Sequence, residues 1–197
     1  MIHRILKGKK VILASASPRR RQIFDLLGIT ALCMPADIAE PITNEAPYVL
    51  VKRHARNKAA AIAVHVDHHS VIVASDTIVV VDKKILGKPS STYQAADYLR
   101  LLSGKTHYVY SAVCICYNNR YVCDYERSKV SFATLSETEI EDYIKTNEPM
   151  DKAGAYGIQG YGSQFIDHIS GCYFNIMGFP IRLFYKLVEE MFGGDYA

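Results

Sequence analysis

The chain has 197 residues, of which 49% are apolar and 22% are charged, a composition typical of a soluble globular protein with one large domain or two small lobes. Its formal net charge of +3 gives no support for a general nucleic-acid or membrane-surface binder, which carries a basic stripe. No apolar run approaches the roughly 18 residues of a membrane span, and the apolar stretch at 11–14 is shorter than the roughly 7–15 residues of a signal peptide. We therefore expect a cytoplasmic protein that binds neither nucleic acid nor membranes.

The first half of the chain predicts strands that alternate with helices. In chain order these are a strand at about 10–15, a helix at about 18–27, a short strand at about 31–35, a loop over 36–43, a long helix at about 46–64 and a buried strand over 71–75. The apolar residues 77–81 form either a further strand or a continuation of the same strand past Asp76. A turn at 82–84 and the segment 85–89 lead to the next helix.

The second half adds a hairpin to this alternation. A helix is predicted at about 91–102, followed by strands at about 106–117 and 120–133 that are joined by the turn Asn118-Asn119. A further helix begins at a capping box at Ser136 and ends at about Thr146. A Gly-rich segment over 154–162, strands at about 163–168 and 172–176, and a helix over 180–192 complete the order. The tail over 193–197 is expected to be loose. Alternating strands and helices predict an α/β fold, and the hairpin predicts a mixed twisted sheet with two lobes rather than a purely parallel sheet.

Three consecutive arginines follow the first strand, in the sequence SASPRRRQ over 15–22. Ser17 is a typical N-cap and Pro18 a typical first helical residue, so the arginines fall in the first turn, where the helix dipole disfavours positive charge. A phosphate bound by the helix amides and the arginines would offset that cost. The alternative is a basic helix start with its side chains in water.

Asp76 interrupts the apolar run over 71–81. A carboxylate buried in such a run is costly unless it is paired or bound to a metal. At the end of a strand it would face the crevice where α/β folds bind ligands. Asp76 is therefore either a metal ligand or general base for water, or a turn residue between two strands.

Three further features are ambiguous from the residues alone. Lys58, on the long predicted helix, and Lys88, in the loop over 86–89, are each more typical of solvated charges than of ligand contacts. The Gly-rich segment allows close approach of its backbone to a ligand, and Gln159 carries both a donor and an acceptor for a base edge. An ordinary surface loop explains that segment equally well.

The cysteines and histidines give weaker signals. The five cysteines, at positions 33, 114, 116, 123 and 172, include no CxxC pair and are expected to be free thiols in a reducing compartment. His65 and His69 are four residues apart, but no third residue has a spacing that matches a metal site. His107 and His168 are expected to fill sheet positions.

Six stretches of the chain resemble the Maf family of nucleoside triphosphate pyrophosphatases. They occur in the family order and cover nearly the whole chain: LASASPRR at 13–20, ASDTIV at 74–79, LGKP at 86–89, LSGKTH at 102–107, EPMDKAGAYGIQG at 148–160 and GFP at 178–180. The resemblance implies a single domain over 1–197, elongated and two-lobed with a central cleft, similar to inosine triphosphate pyrophosphatases. It also implies cleavage between the α- and β-phosphates with a divalent metal, Mg²⁺ or Mn²⁺, as part of nucleotide-pool house-cleaning.

Within this family the chain resembles the branch that prefers dTTP and UTP, because it has Asp76-Thr77 and the run AYGIQG over 155–160. The resemblance implies catalysis by Asp76, a metal held by Asp76 and Glu40, and base recognition by Thr77 and Gln159. Ala39 replaces a frequent second acidic residue beside Glu40. The residues that the resemblance implies for substrate binding are Ser15, Ser17, Arg19, Arg20, Lys58, Thr77, Lys88 and Gln159.

Two other functions remain open at this point. One is a 7-methyl-GTP pyrophosphatase, although that branch carries Asp-Gln in place of Asp76-Thr77 and lacks the Tyr-Gly-Ile-Gln run. The other is a nucleotide-binding regulator of cell division without turnover, against which the low net charge and Asp76 both count. A nucleoside triphosphate is the expected partner, and a homodimer is expected from the frequency of such oligomers among soluble proteins.

Overall fold

The computed structural model describes residues 1–193. Its helices are α1 (Ile2–Ile5), α2 (Pro18–Leu26), α3 (Pro47–Ala63), α4 (Thr92–Leu102), α5 (Glu137–Lys145), α6 (Tyr173–Ile176) and α7 (Ile181–Phe192). Its strands are β1 (Val11–Leu13), β2 (Ala31–Cys33), β3 (Val71–Val81), β4 (Lys84–Leu86), β5 (Thr106–Tyr117), β6 (Arg120–Phe132) and β7 (Ile166–Ser170). Short 3₁₀ turns at Glu148–Asp151, Ala153–Ala155 and Tyr161–Phe165 lie between α5 and β7.

Within residues 1–193 the strands form a seven-stranded sheet in the order β2-β1-β3-β5-β6-β7, with β4 paired to β3. β1 pairs in parallel with both β2 and β3, whereas β4 is antiparallel to β3 and β7 is antiparallel to β6. The parallel pairs need crossover connections, which α2 and α3 provide. The predicted α/β fold with a mixed sheet is therefore confirmed.

The chain divides into two compact units, and the first comprises residues 1–76, 111–126 and 178 onward. Its core contains Phe24, whose ring centroid lies 5.3 Å from that of Phe179 and 5.7 Å from that of Phe184. Phe184 belongs to α7, where buried apolar residues recur at helical spacing, so one face of this helix covers the unit's core. All three rings are at most 1% exposed.

The second unit comprises residues 77–110 and 127–177. Its core is built from α4, α5 and the adjoining strand segments, with Leu99 and Leu102 fully buried on α4. Tyr143 of α5 packs edge-on against Phe165 with ring centroids 5.0 Å apart. α5 begins with the predicted capping box, in which Ser136 and Glu139 satisfy each other's backbone N–H groups.

β3 continues through Asp76 without a turn, which confirms one of the two predicted alternatives. The turn follows later, where Asp82 and Lys83 both adopt positive φ and connect β3 to the short antiparallel strand β4. β4 was not predicted from the sequence, because three residues give too little periodicity to distinguish a strand from a loop. Asp76 thus lies inside a buried strand rather than in a surface turn.

The strand predicted at 172–176 is wrong, because the structure has the short helix α6 there. Ser128 Oγ accepts a hydrogen bond from the Cys172 N–H and donates to the Cys172 carbonyl, each at 3.0 Å. Asn175 Nδ2 donates to Ser128 Oγ at 2.9 Å and to the Val109 carbonyl at 3.0 Å. These side-chain bonds replace ladder hydrogen bonds and hold the segment in a helical turn.

The expectation of five free thiols is wrong for one pair, because Cys114 of β5 and Cys123 of β6 form a disulfide with Cα atoms 4.1 Å apart. The turn predicted at Asn118-Asn119, where both residues have positive φ, brings these cysteines together across the hairpin. The remaining cysteines, Cys33, Cys116 and Cys172, are free.

Within residues 1–193, no helix combines the length and the apolar character needed to cross a membrane. The predicted final helix is confirmed as α7, with Pro180 as its N-cap and Gly193 as its C-cap. The rest of the predicted loose tail lies outside the described residues.

His107 of β5 gives the second unit a predicted pH dependence. Its side chain is completely buried, with Nε2 2.8 Å from the Tyr156 hydroxyl, and burial lowers the pKa of His107 to about 4. In the unfolded chain histidine has a pKa near 6.5, so below that pH the unfolded state binds a proton that the buried His107 does not. The free energy of unfolding is therefore highest above pH 6.5 and decreases as the pH falls towards 4. Between pH 7 and 4.5 we expect the wild type to lose about 2–3 kcal/mol more unfolding free energy than His107→Gln, measured by urea denaturation.

The control for this measurement is His168→Gln, which changes an exposed histidine on β7. This control protein should keep the wild-type pH dependence. Equal losses in the wild type and in His107→Gln would contradict the assignment to His107.

Candidate active site

The turn between β1 and α2 carries the arginines that the sequence predicts as a phosphate site. α2 begins at Pro18 with Ser17 as its N-cap residue, as predicted. The hydroxyl that organises this turn is that of the buried Ser15, which accepts the Ser17 backbone N–H at 3.1 Å. Ser15 Oγ also accepts from Arg20 Nη1 at 3.2 Å, so one side chain fixes both the turn and an arginine.

Arg20 is held at a second point, because its Nε donates to the Gly178 carbonyl at 3.0 Å. Burial lowers the pKa of Arg20 to about 10, against the raising effect of the Asp76 and Glu40 charges, and the guanidinium remains charged at neutral pH. Arg19 is half-buried. Arg21 is exposed, and its Nε donates to Cys33 Sγ at 3.3 Å.

Asp76, Lys58 and Glu40 form a compact ion cluster in the first unit. Lys58 Nζ donates to Asp76 Oδ1 at 2.7 Å and to Glu40 Oε1 at 2.8 Å. Asp76 is 4% exposed and Lys58 is 8% exposed, whereas the Glu40 side chain is 40% exposed. The interpretation of Lys58 as a solvated charge is therefore wrong, since its ammonium lies between two carboxylates.

The surroundings of Asp76 keep it ionised. Burial by itself raises the pKa of this carboxyl. The hydrogen bond with His54 and the charge and hydrogen bond of Lys58, aided by the charge of Arg20, outweigh burial and lower the pKa of Asp76 to about 2. Such a weak proton acceptor is better suited to binding a cation than to serving as a general base near neutral pH.

His54 is a member of this cluster that the sequence analysis missed. It lies on α3 one helical turn before Lys58 and is 2% exposed. Its Nδ1 is 3.2 Å from Asp76 Oδ2, and its Nε2 is 3.2 Å from the Pro41 carbonyl oxygen. The available signal was the i, i+4 spacing of His54 and Lys58, which puts both side chains on one helix face.

The other predicted substrate-binding residues, Thr77, Lys88 and Gln159, belong to the second unit. Thr77 is half-buried on β3, Lys88 is exposed after β4, and Gln159 is exposed in the Gly-rich segment.

The backbone of the Gly-rich segment is fixed by Glu148, a residue not singled out from the sequence. The Glu148 carboxylate accepts hydrogen bonds from the N–H groups of Tyr161 at 2.9 Å and Gly162 at 3.2 Å, and from the Tyr143 hydroxyl at 2.9 Å. Gly154 has φ +71°, and a Cβ there would lie 2.8 Å from a Val79 methyl group, so glycine is required. The segment is therefore a structured element rather than an ordinary surface loop.

The first unit contains a group of side chains with the donor chemistry for a divalent metal. Glu40, His54 and Asp76 each offer one ligand atom, and these atoms lie within 4.8 Å of one another. Carboxylate oxygens suit Mg²⁺ and Mn²⁺, so the cluster fits the metal that the sequence resemblance implies. A second such group, Asp67, His68 and His69, is fully exposed on the turn before β3.

Comparisons with known proteins agree with the sequence resemblance. Residues 10–191 match the sequence model of the family described as Maf-like protein. A dTTP/UTP pyrophosphatase of Bacillus cereus is 44% identical over 184 residues, which cover 93% of this chain and 89% of that protein. A dTTP/UTP pyrophosphatase of Bacillus mycoides is 44% identical over 186 residues, which cover 93% of this chain and 94% of that protein.

Among solved structures, the Staphylococcus aureus Ham1 protein has a similar fold, with a TM-score of 0.51 and 12% identity over 95% of this chain and 100% of that chain. This likeness concerns the fold alone. The family match and the identity to curated relatives each span more than nine-tenths of the chain. The chain belongs to the Maf-like protein family.

Proposed function

We propose that this chain hydrolyses dTTP and UTP to the nucleoside monophosphate and pyrophosphate. The observation that carries the proposal is the ion cluster in which the buried Lys58 pairs with both Asp76 and Glu40 and keeps the buried Asp76 carboxylate ionised, within the electrostatic influence of Arg20. The names of the similar Bacillus proteins, dTTP/UTP pyrophosphatase, support the same reaction and substrates.

The cationic residues are proposed to hold the triphosphate. Arginine and lysine side chains bind phosphate oxygens through charge-assisted hydrogen bonds, and Arg20 is already oriented by Ser15 and by the Gly178 carbonyl. A preorganised guanidinium gives up little conformational freedom on binding. The proposed phosphate-binding residues are Ser15, Ser17, Arg19, Arg20, Lys58 and Lys88.

Asp76 and Glu40 are proposed to bind a divalent metal, Mg²⁺ or Mn²⁺. When bound, such an ion stabilises negative charge on phosphate oxygens. Asp76 orients the attacking water by accepting a hydrogen bond from it. The water oxygen bonds to the α-phosphorus, the bond from that phosphorus to the α,β-bridging oxygen breaks, pyrophosphate leaves, and the proton lost by the water is released to the solvent.

Thr77 and Gln159 are proposed to recognise the pyrimidine. A side-chain amide offers both a donor and an acceptor to the base edge, and a threonine hydroxyl can serve as either. The Glu148 carboxylate supports this role, since its bonds to the Tyr161 and Gly162 N–H groups fix the backbone close to Gln159.

A panel of nucleoside triphosphates tests the proposed function. We expect pyrophosphate release from dTTP and UTP at rates at least about tenfold above those for 7-methyl-GTP, because a buried donor or acceptor that the wrong base leaves unsatisfied costs about 1–3 kcal/mol. The readout is pyrophosphate by coupled assay, with the monophosphate identified by chromatography. Preferential hydrolysis of 7-methyl-GTP, or nucleotide binding without pyrophosphate release, would contradict the proposal. The same panel run on Gln159→Leu checks the recognition role, which predicts weaker discrimination.

Proposals also follow for the domain organisation, the compartment and the oligomeric state. We propose that residues 1–197 work as one catalytic domain in the cytoplasm, where nucleoside triphosphates are available. A homodimer is proposed from base rates alone. Sedimentation velocity of the full chain measures the oligomeric state directly, and a single monomeric species would contradict the dimer.

A further inference from the structure

His54 presents its two ring nitrogens to two oxygen atoms. Nε2 lies 3.2 Å from the Pro41 carbonyl oxygen, and Nδ1 lies 3.2 Å from Asp76 Oδ2. Pro41 directly follows Glu40 in the chain, so the imidazole connects the segment that carries one proposed metal ligand to the side chain of the other. The ring is 2% exposed, so bulk water does not mediate these contacts.

The two oxygen atoms beside the His54 ring determine which ring nitrogen carries a hydrogen. A backbone carbonyl only accepts hydrogen bonds, so Nε2 carries a hydrogen and donates it to Pro41. In the neutral ring Nδ1 then has a lone pair, and this lone pair faces the lone pairs of an ionised carboxylate. Two such atoms 3.2 Å apart need a cation between them, which is either a proton or a metal ion.

The separation of Nδ1 and Asp76 Oδ2 is compatible with both atoms binding one metal ion. Two ligands at right angles, each about 2.1 Å from an ion, stand about 3 Å apart, close to the observed separation of Nδ1 and Oδ2. A histidine that binds a metal almost always donates its other N–H to a carbonyl or carboxylate, as Nε2 does here. Lys58 bonds to the opposite oxygen of Asp76, Oδ1, and so does not compete for Oδ2.

We propose that His54 Nδ1 is a third protein ligand, beside Asp76 and Glu40, of the divalent ion in the proposed reaction, and that it shifts the metal preference from Mg²⁺ towards Mn²⁺ and Co²⁺. The role of the ion in turnover rests on the proposed function, whereas the ligand assignment rests on the geometry of His54. Mg²⁺ strongly prefers oxygen ligands, while imidazole nitrogen suits transition metals. The neutral ring also leaves the ion more net charge than a third carboxylate would.

Pulsed electron paramagnetic resonance of bound Mn²⁺ tests the assignment, because a directly bound imidazole nitrogen gives a measurable hyperfine coupling. The exposed group of Asp67, His68 and His69 is a second candidate for Mn²⁺ binding. All arms therefore use the full chain with His68→Gln and His69→Gln. In this background we expect nitrogen coupling that is lost in His54→Gln and retained in the matched control His65→Gln, an exposed histidine after α3.

Metal titration adds a thermodynamic readout. We expect His54→Gln to weaken Mn²⁺ binding by tenfold or more and Mg²⁺ binding by about threefold or less, since only the transition metal gains from nitrogen ligation. Circular dichroism checks that the variant folds. If it does not fold, the parent chain labelled with ¹⁵N-histidine carries the test, because the coupling must change to the ¹⁵N pattern.

The outcomes separate this proposal from the proposed function. Bound Mn²⁺ without nitrogen coupling, coupling unchanged in His54→Gln, or equal losses of Mn²⁺ and Mg²⁺ affinity would each overturn the ligand assignment. Nitrogen coupling in a chain that does not hydrolyse dTTP or UTP would contradict the proposed function and leave the ligand assignment intact.

Discussion

Asp76→Asn is expected to lower kcat for dTTP and UTP by about 10²–10⁴-fold while the protein remains folded. Asparagine has nearly the shape of aspartate but carries no charge, so it neither binds a divalent metal strongly nor orients the attacking water as an anion. The measurement is pyrophosphate release under saturating nucleotide, with circular dichroism and thermal unfolding as checks of structure. A loss in kcat rather than in KM alone is expected, because the interaction acts mainly in the transition state.

The folded state should tolerate this substitution because the cluster can rebalance its charge. Lys58 keeps its ion pair with Glu40, and the burial cost of one ionised carboxylate disappears. The amide N–H of the new side chain can then donate to the Nδ1 lone pair of the neutral His54 ring. A decrease in activity is therefore attributable to the missing negative charge rather than to unfolding.

Asp82→Asn is the matched control. It makes the same chemical change at an exposed aspartate whose ion pair with Lys105, at 2.8 Å, lies in the turn after β3. Positive φ at Asp82 also suits asparagine, so the fold should not be strained. If Asp76→Asn hydrolyses dTTP at a rate close to that of the wild type, Asp76 is not the catalytic carboxylate; if both variants are inactive, the effect is not specific.

The sequence was sufficient to predict that a buried Asp76 would have a compensating partner, because an ionised residue in an apolar strand is costly without one. The run of valine and isoleucine around it predicts a buried strand, and the structure confirms the strand, its continuity and the burial. The partners could not be predicted in the same way. Lys58 and His54 reach Asp76 from a different element, and nothing in the local pattern of α3 identifies the strand that it packs against.

The wrong predictions share a physical cause, which is that side chains distant in sequence decided the local structure. Residues 172–176 have the apolar and aromatic composition of a strand, but Ser128 and Asn175 bind the backbone and hold a helical turn. Cys114 and Cys123 give no motif in one dimension, yet the hairpin turn brings them together. Such contacts depend on tertiary structure, and single-residue propensities do not include them.

The second large effect is expected from Lys58→Met, which replaces a buried ammonium by an apolar side chain of similar length. We expect the free energy of unfolding to fall by about 3–5 kcal/mol, because removing one partner of a buried ion pair leaves the other charge uncompensated. The pKa of Asp76 should rise, since Lys58 supplies part of the charge and hydrogen bonding that hold it down. Urea denaturation at neutral pH measures the stability change, and pyrophosphate release measures turnover, which should fall by about 10²-fold or more.

Lys52→Met is the matched control on the same helix. Lys52 of α3 has a side chain that is 35% exposed and lies 4.0 Å from Asp124, and such surface pairs contribute about 0–1 kcal/mol.

Lys58→Arg separates charge from geometry, since it keeps the positive charge but not the position of the ammonium between Asp76 and Glu40. If charge alone matters, Lys58→Arg should retain most of the stability; if the two-carboxylate geometry matters, both Lys58 variants should lose turnover. A stable and fully active Lys58→Met would mean that His54 and Arg20 alone keep Asp76 ionised, and the ion cluster would then not require its lysine.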